Sequence, residues 1–321
     1  MRQAGRYMPQ YRKLRKRHSI LELCHNPELA AKITLQPVEH LGVDAAIIFA
    51  DILLPFEPLR LGLRFATGEG PVIDRPIAEA GDVERLPSFS IEADLGFVLE
   101  AVRLARRELP KDVALIGFAG APFTLASYAI EGGASRTFTK TKRFMYQTPD
   151  AWHLLLSKLA EIIGKFLAAQ ARAGAQALQL FDSWVGCLSP DDYRTFVQPH
   201  SQKALTFAKA GGADVPLIHF GTGTATFLED FAAAGGDVIS VDWRIPLDAA
   251  WARIGERQRA IQGNLDPAAL LAPAGERTRQ VRDILSRAGR RPGHIFNLGH
   301  GVLPDTDVAA VRAVVEQVHG A

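Results

Sequence analysis

Ala45-Ala46-Ile47-Ile48-Phe49-Ala50 is apolar without a break and stops at Asp51. A strand with one face in water alternates apolar and polar residues, whereas a strand covered on both faces by helices does not. The run therefore predicts a strand of a parallel, helix-flanked sheet. Working outward, short, largely apolar runs recur at Ala114–Phe118, Ala177–Phe181, Val215–Phe220, Val238–Val241, Ala260–Gln262 and His294–Leu298. Segments of helical period stand between these runs. Asn26-Pro27-Glu28 combines an N-cap, a proline at the first helical position and an acid on the dipole. It opens a helix that runs towards Leu41-Gly42, with a kink expected near Pro37. Further helices are predicted over 91–109, 150–173, 225–234 and 307–319, and Ser189 and Asp266 read as helix caps. Residues 62–77 carry period-two apolar positions around Gly68-Glu69-Gly70 and predict an inserted hairpin.

Seven strand-plus-helix units without a linker predict a (β/α)8 TIM barrel, α/β in class, as one catalytic domain over residues 1–321. An eighth strand is expected just before or at Arg2, so the first strand is expected to be short or truncated at the N-terminus. An open doubly wound sheet is the alternative. No GxGxxG follows any strand and no GxxxxGK[ST] is present, which counts against its nucleotide-binding versions.

Composition narrows the function. The 321 residues are 47% hydrophobic and 22% charged, as in a soluble globular protein with an ample core. A net charge of only +2 argues against broad polyanion binding, so no nucleic-acid partner is expected. Cys24 and Cys187 make neither a disulfide framework nor a metal spacing, and read as buried thiols in a reducing compartment. No apolar run has the length of a membrane span, so the expectation is a cytoplasmic protein without a membrane partner. The first seventeen residues nevertheless hold seven cations. Arg2 and Arg6 flank Gly5, so one turn can aim both guanidinium forks into one space, the geometry that grips a carboxylate or phosphate. Composition alone reads the same stretch as a solvated, frayed tail. Both readings stay open at this level.

Barrel enzymes carry their chemistry at the C-terminal ends of the strands. Asp51, Ser183, His219, Asp242, Arg244, Asn264 and His300 lie at such ends, with Tyr128 just beyond the loop that follows Ala114–Phe118. Asp51 ends a buried run and leads straight into Ile52-Leu53-Leu54-Pro55, where an acid has few local structural uses. Asp242 serves equally well as a cap or as a partner of Arg244, and His219 as a satisfied core imidazole. Ser183 has no Gly-x-Ser-x-Gly elbow around it, and no histidine stands in an HExxH spacing. From the residues alone the reading stops at a barrel enzyme for a carboxylate- or phosphate-bearing substrate.

Seven segments, in order, go further. Met1–Arg12 (MRQAGRYMPQYR), Phe49–Leu53 (FADIL), Gly117–Tyr128 (GFAGAPFTLASY), Leu178–Ser183 (LQLFDS), Val241–Trp243 (VDW), Gln262–Pro267 (QGNLDP) and Asn297–Gly301 (NLGHG) together resemble the uroporphyrinogen decarboxylase family. The resemblance implies a homodimeric (β/α)8 barrel that needs no cofactor and no metal. It implies conversion of the four acetate side chains of uroporphyrinogen III to methyls, with loss of carbon dioxide, in haem and chlorophyll biosynthesis. By motif it assigns Arg2 and Arg6 to substrate carboxylates and Asp51 to the centre of the site. Tyr128, Ser183 and His300 are assigned beside Asp51, and Phe118 and Phe181 to the apolar wall. Catalytic roles fall on Asp51, Arg2, Tyr128 and His300. The zinc-dependent cobamide methyltransferases are a related barrel class that uses a His-x-Cys and a second cysteine for its metal. Here the corresponding place reads His219-Phe220-Gly221, so a zinc-thiolate site is not expected. A non-catalytic binder of tetrapyrrole or nucleic acid is the rival from outside enzymology.

Overall fold

The structure, a computed structural model, describes residues 3–66, 70–255 and 259–321. Nine strands lie along the described residues: β1 (Ala45–Ile47), β2 (Leu63–Ala66), β3 (Gly70–Ile73), β4 (Ala114–Gly120), β5 (Ala177–Asp182), β6 (Leu217–Gly221), β7 (Val238–Ser240), β8 (Ala260–Leu265) and β9 (His294–Leu298). Seven of them pair side by side in chain order, β1-β4-β5-β6-β7-β8-β9, and every pairing is parallel. The unbroken apolar runs are thus strands buried between helices and a sheet interior. β2 and β3 form the expected antiparallel hairpin, with Leu63 opposite Ile73; Gly68 and Glu69 of its turn lie outside the described residues.

The sheet curls. β6 and β9 have two strands between them, which in a flat sheet would hold them about 14 Å apart. The rings of Phe220 on β6 and His300 just past β9 nevertheless approach to 6.3 Å. Only a wall bent towards closure brings them together, as strand tilt and stagger do in a barrel. Helices cover the outside. The Pro149–Ala173 helix buries Trp152, Leu155, Leu156, Leu159 and Ile163, a helical spacing that turns one face to the strands. Asn26 caps the Pro27–Leu41 helix by accepting from the Leu29 N–H at 2.9 Å, and this helix runs on through Pro37. The segment read as one helix over 91–109 is two, Ile91–Asp94 and Gly96–Glu108, because Leu95 leaves helical geometry at φ −121°.

On the outer edge of β1, no strand pairs with it among the described residues. β1 gives its even-numbered peptide groups to β4: Asp44 C=O accepts from Ala114, and the Ile48 N–H donates to Ile116. Its odd-numbered groups face the other way, and the Gln3 side chain meets them. Gln3 Nε2 donates to the Ala45 C=O at 2.7 Å, while Gln3 Oε1 accepts from the Ile47 N–H at 2.9 Å. One carboxamide thus makes the two bonds that the N–H and C=O of one residue in a neighbouring parallel strand would make. Behind it, Tyr7, Met8 and Tyr11 are buried in a small core with Leu23, Ile33 and Leu41. From Gln3 onward, the frayed-tail reading of this stretch is therefore wrong: its cations sit on a segment held by apolar side chains.

Candidate active site

Phe118 on β4, Phe181 on β5 and Phe220 on β6 occupy the C-terminal ends of adjacent strands and share the inner face. Phe118 and Phe181 meet edge to face at 5.5 Å, Phe181 and Phe220 at 5.4 Å, and Phe220 reaches His300 across the curl. The result is a continuous aromatic wall with an imidazole at its far end. Phe118 and Phe181 are only half-buried, so the wall is open to a ligand. Phe220 is not among the site residues read from the sequence, yet a signal exists: a phenylalanine ends each of the runs Ala114–Phe118, Ala177–Phe181 and Val215–Phe220. The Gly301 N–H donates to His300 Nδ1 at 2.7 Å. In the neutral ring the proton then sits on Nε2.

Asp51 follows β1 on the near side of the same wall. Its Oδ1 accepts from the Leu53 N–H at 2.9 Å, which turns the chain over directly after the carboxylate. Ile52 packs against β4 so closely that a Cβ on Gly120 would stand 3.1 Å from the Ile52 Cβ. Tyr11 packs on Phe49 at a ring separation of 5.7 Å. Val302 joins Phe49 against the same N-terminal cluster. The N-terminal arm is thereby wedged between the strand end that bears Asp51 and the loop that bears His300. Within it, Met8 N–H donates to Gly5 C=O at 2.9 Å, a tight turn that leaves Arg6 exposed. Arg12 braces that turn by donating to the Arg6 and Tyr7 carbonyls. Arg2 lies outside the described residues.

Tyr128 corrects one expectation. It is on a helix, Pro122–Glu131, that starts directly after β4, and not beyond a loop. It stacks on Trp184 at 3.8 Å, and Phe138 meets that indole edge to face at 5.1 Å. The Ser183 carbonyl accepts from the Thr222 hydroxyl, which ties the loop after β5 to the loop after β6. Those two loops touch backbone to backbone: a Cβ on Gly186 would stand 2.2 Å from the Thr222 carbonyl oxygen. Behind Ser183 the Asp182 side chain turns away from the wall and is fully buried. Its Oδ1 accepts from the Thr124 hydroxyl at 2.8 Å, and burial pushes its carboxyl up to about 7.

The remaining strand-end residues are structural. His219 stacks on Phe231 of the helix layer at 3.9 Å, on the opposite face from Phe220, and burial lowers its pKa to about 3. It is a core imidazole. Asp242 accepts from the Gly223 N–H at 2.7 Å and from the Arg244 N–H at 2.9 Å, and it pairs with the Arg244 guanidinium. Asn264 donates to the Asp242 and Ile245 carbonyls. Ser189 and Asp266 are the caps that the sequence predicts. Cys24 is buried and Cys187 half-buried, and neither is in a disulfide. Among the described residues no group of three or more His, Cys, Asp or Glu side chains could hold a metal ion, and no helix is long and apolar enough to cross a membrane.

A curled parallel wall in chain order, with its polar groups at the C-terminal strand ends, defines an enzyme of the TIM-barrel type. Known structures agree on the fold. A methyltransferase from Methanosarcina mazei superposes with a TM-score of 0.79 at 22% identity, over 93% of this chain and 87% of that one. A B12-independent methionine synthase from Shewanella sp. gives 0.61 at 12% identity, over 92% and 88%. A family model described as uroporphyrinogen decarboxylase (URO-D) matches residues 1–321, and the chain belongs to that family. Uroporphyrinogen decarboxylase of Sorangium cellulosum is 56% identical over 99% of this chain and 90% of its own length. That of Thermus thermophilus is 51% identical over 99% and 92%.

Proposed function

We propose that this chain is a uroporphyrinogen decarboxylase, converting the four acetate side chains of uroporphyrinogen III to methyls and yielding coproporphyrinogen III. One observation carries the site assignment: the aromatic wall Phe118–Phe181–Phe220–His300 rises beside the strand end that holds Asp51. An octacarboxylate built round an apolar macrocycle asks for such a surface, apolar in the middle and polar at its margin.

In each cycle a carboxylate leaves as carbon dioxide, and the electron pair of the breaking bond needs somewhere to go. Protonation of the pyrrole ring first makes it a cationic sink. The pair then flows into the ring, a proton adds to the exocyclic carbon to make the methyl group, and the ring gives up the proton it first took on, which restores the pyrrole. The net change per acetate is gain of one proton and loss of one carbon dioxide. A fixed negative charge beside the pyrrole nitrogens stabilises the cation, and Asp51 fills that role by accepting pyrrole N–H bonds. Arg2 and Arg6 receive substrate carboxylates as bidentate forks. Tyr128 and His300 add side-chain donors, and Ser183 contacts the same margin. The homodimer and the cytoplasmic location implied by the family belong to this proposal. So does the reading of residues 1–321 as one domain, which the single parallel wall supports.

The test is anaerobic incubation with reduced uroporphyrinogen III and chromatography of the products after oxidation. A ladder of hepta-, hexa-, penta- and tetracarboxylates with matching release of carbon dioxide is expected. Tight binding without decarboxylation would instead make the protein a tetrapyrrole carrier.

A further inference from the structure

Asp182, Thr124 and Trp184 form a short chain of contacts that ends on Tyr128. The Thr124 hydroxyl carries a single proton. It donates this proton to Asp182 Oδ1 at 2.8 Å, so a lone pair is left to accept from the Trp184 N–H at 3.3 Å. Thr124 and Tyr128 stand four residues apart on the Pro122–Glu131 helix, hence on one face of it. That face holds residue 184 twice: Thr124 binds its peptide N–H, and Tyr128 stacks on its indole at 3.8 Å and 29°. Phe138 meets the same ring edge to face. The hydroxyl of Thr124 can point either way unless something directs it, and the Asp182 carboxyl supplies the direction.

Asp182 is an expensive choice for a merely structural post. It is fully buried, its Oδ2 has no hydrogen-bond partner, and burial raises its pKa to about 7. Burial of an acid with one oxygen unsatisfied costs stability that an apolar residue at the end of β5 would not.

We propose that Asp182 is a positioning residue for Tyr128, acting through the Thr124 hydroxyl and the Trp184 indole to hold the phenol at the margin of the aromatic wall. The inference rests on the decarboxylase reading of that site. Without the directed hydroxyl the Trp184 peptide is free to shift, and its indole slides off the phenol that it holds.

A double-mutant cycle with a structural readout tests this. Thr124→Val removes the hydroxyl and keeps the shape. It is expected to lower kcat/KM about tenfold alone, and less than about twofold in the Tyr128→Phe background, where the phenol has no hydroxyl left to position. Thr124→Ser, which keeps the hydroxyl, is expected to stay within about threefold of the parent. In the crystal structure of Thr124→Val the Trp184 ring is expected to leave the Tyr128 stack. Equal losses in both backgrounds, or an unmoved stack, overturn the proposal. The stack is read without turnover, so a parent protein that releases no carbon dioxide would end the decarboxylase reading while this inference is still decided. If Thr124→Val does not fold, Asp182→Asn in the same cycle serves, with a smaller loss in the same direction expected.

Discussion

Two arcs of the strand wall are built on different plans. From β4 to β8 the strands are tied to one another beyond their ladders: Thr124 to Asp182 and Trp184, Thr222 to Ser183, Asp242 to Gly223, and Asn264 to the carbonyls of Asp242 and Ile245. Each tie joins neighbouring strand-end loops, so no loop there moves alone. From β9 round to β1 the wall is more open. Ile295 on the inner face of β9 is 41% exposed, Ala45 and Ile47 are half-buried, and a side-chain amide stands on the outer edge of β1. Asp51 and His300 belong to this open arc, whereas Tyr128 and Ser183 belong to the tied one. A bulky, highly charged substrate needs both: an opening through which to enter, and a fixed surface against which to be held.

The largest effect is expected at Asp51. Asp51→Asn keeps an acceptor for the Leu53 N–H, so the fold should survive, while loss of the charge should lower kcat by about a thousandfold. Turnover with uroporphyrinogen and a thermal melt, taken together, check this; near-normal turnover would remove Asp51 from the centre of the site. Next comes a change within the tied arc. Gly186→Ala drives a methyl to 2.2 Å from the Thr222 carbonyl oxygen and should destabilise by about 2–3 kcal/mol, read by urea unfolding. An Ala variant with unchanged stability would mean that the loops after β5 and β6 are not locked.

A smaller loss is expected in the open arc. Gln3→Ala removes two hydrogen bonds from the β1 edge, about 1–2 kcal/mol. Amide exchange should locate the loss at the Ile47 N–H, with Ile48 protected as before; uniform acceleration along β1 would show that Gln3 acts on the whole strand. The smallest effect is on pH dependence. Burial lowers the pKa of His200 from 6.5 to about 4. Over that interval the unfolded chain takes up a proton that the folded chain refuses, so stability falls as the pH drops. Asp182 works in the opposite sense. Its pKa is raised from 3.8 to about 7, so the folded chain keeps a proton that the unfolded chain has lost, and stability falls as the pH rises through that window. Melts of Asp182→Asn should therefore gain on the parent steadily as the pH rises towards 7.

How much the sequence disclosed depended on whether a residue's role was local. Strands buried on both faces announce themselves by largely apolar runs, and β6 (Leu217–Gly221), buried at every position, falls where the run Val215–Phe220 is read. The Pro122–Glu131 helix escaped because nearly every side chain from Pro122 to Ile130 is buried. With no polar face it shows no helical period, so Tyr128 was read onto irregular chain. Asp51 was legible as an acid in an apolar setting. Asp182 was not, because strand alternation alone sends it away from the wall, and its partner Thr124 is 58 residues distant in sequence. Gln3 gave no signal either, since the edge it binds is 42 residues away.

The stack of Trp184 on Tyr128 gives the protein an optical handle. Of its four tryptophans, Trp152 and Trp251 are shut in the core and Trp243 lies against Arg244; Trp184 stacks on a residue of the proposed site. A ligand that displaces the phenol changes the surroundings of that indole before any bond breaks. Stopped-flow emission can therefore time the arrival of a molecule separately from its conversion, with no label added to the chain.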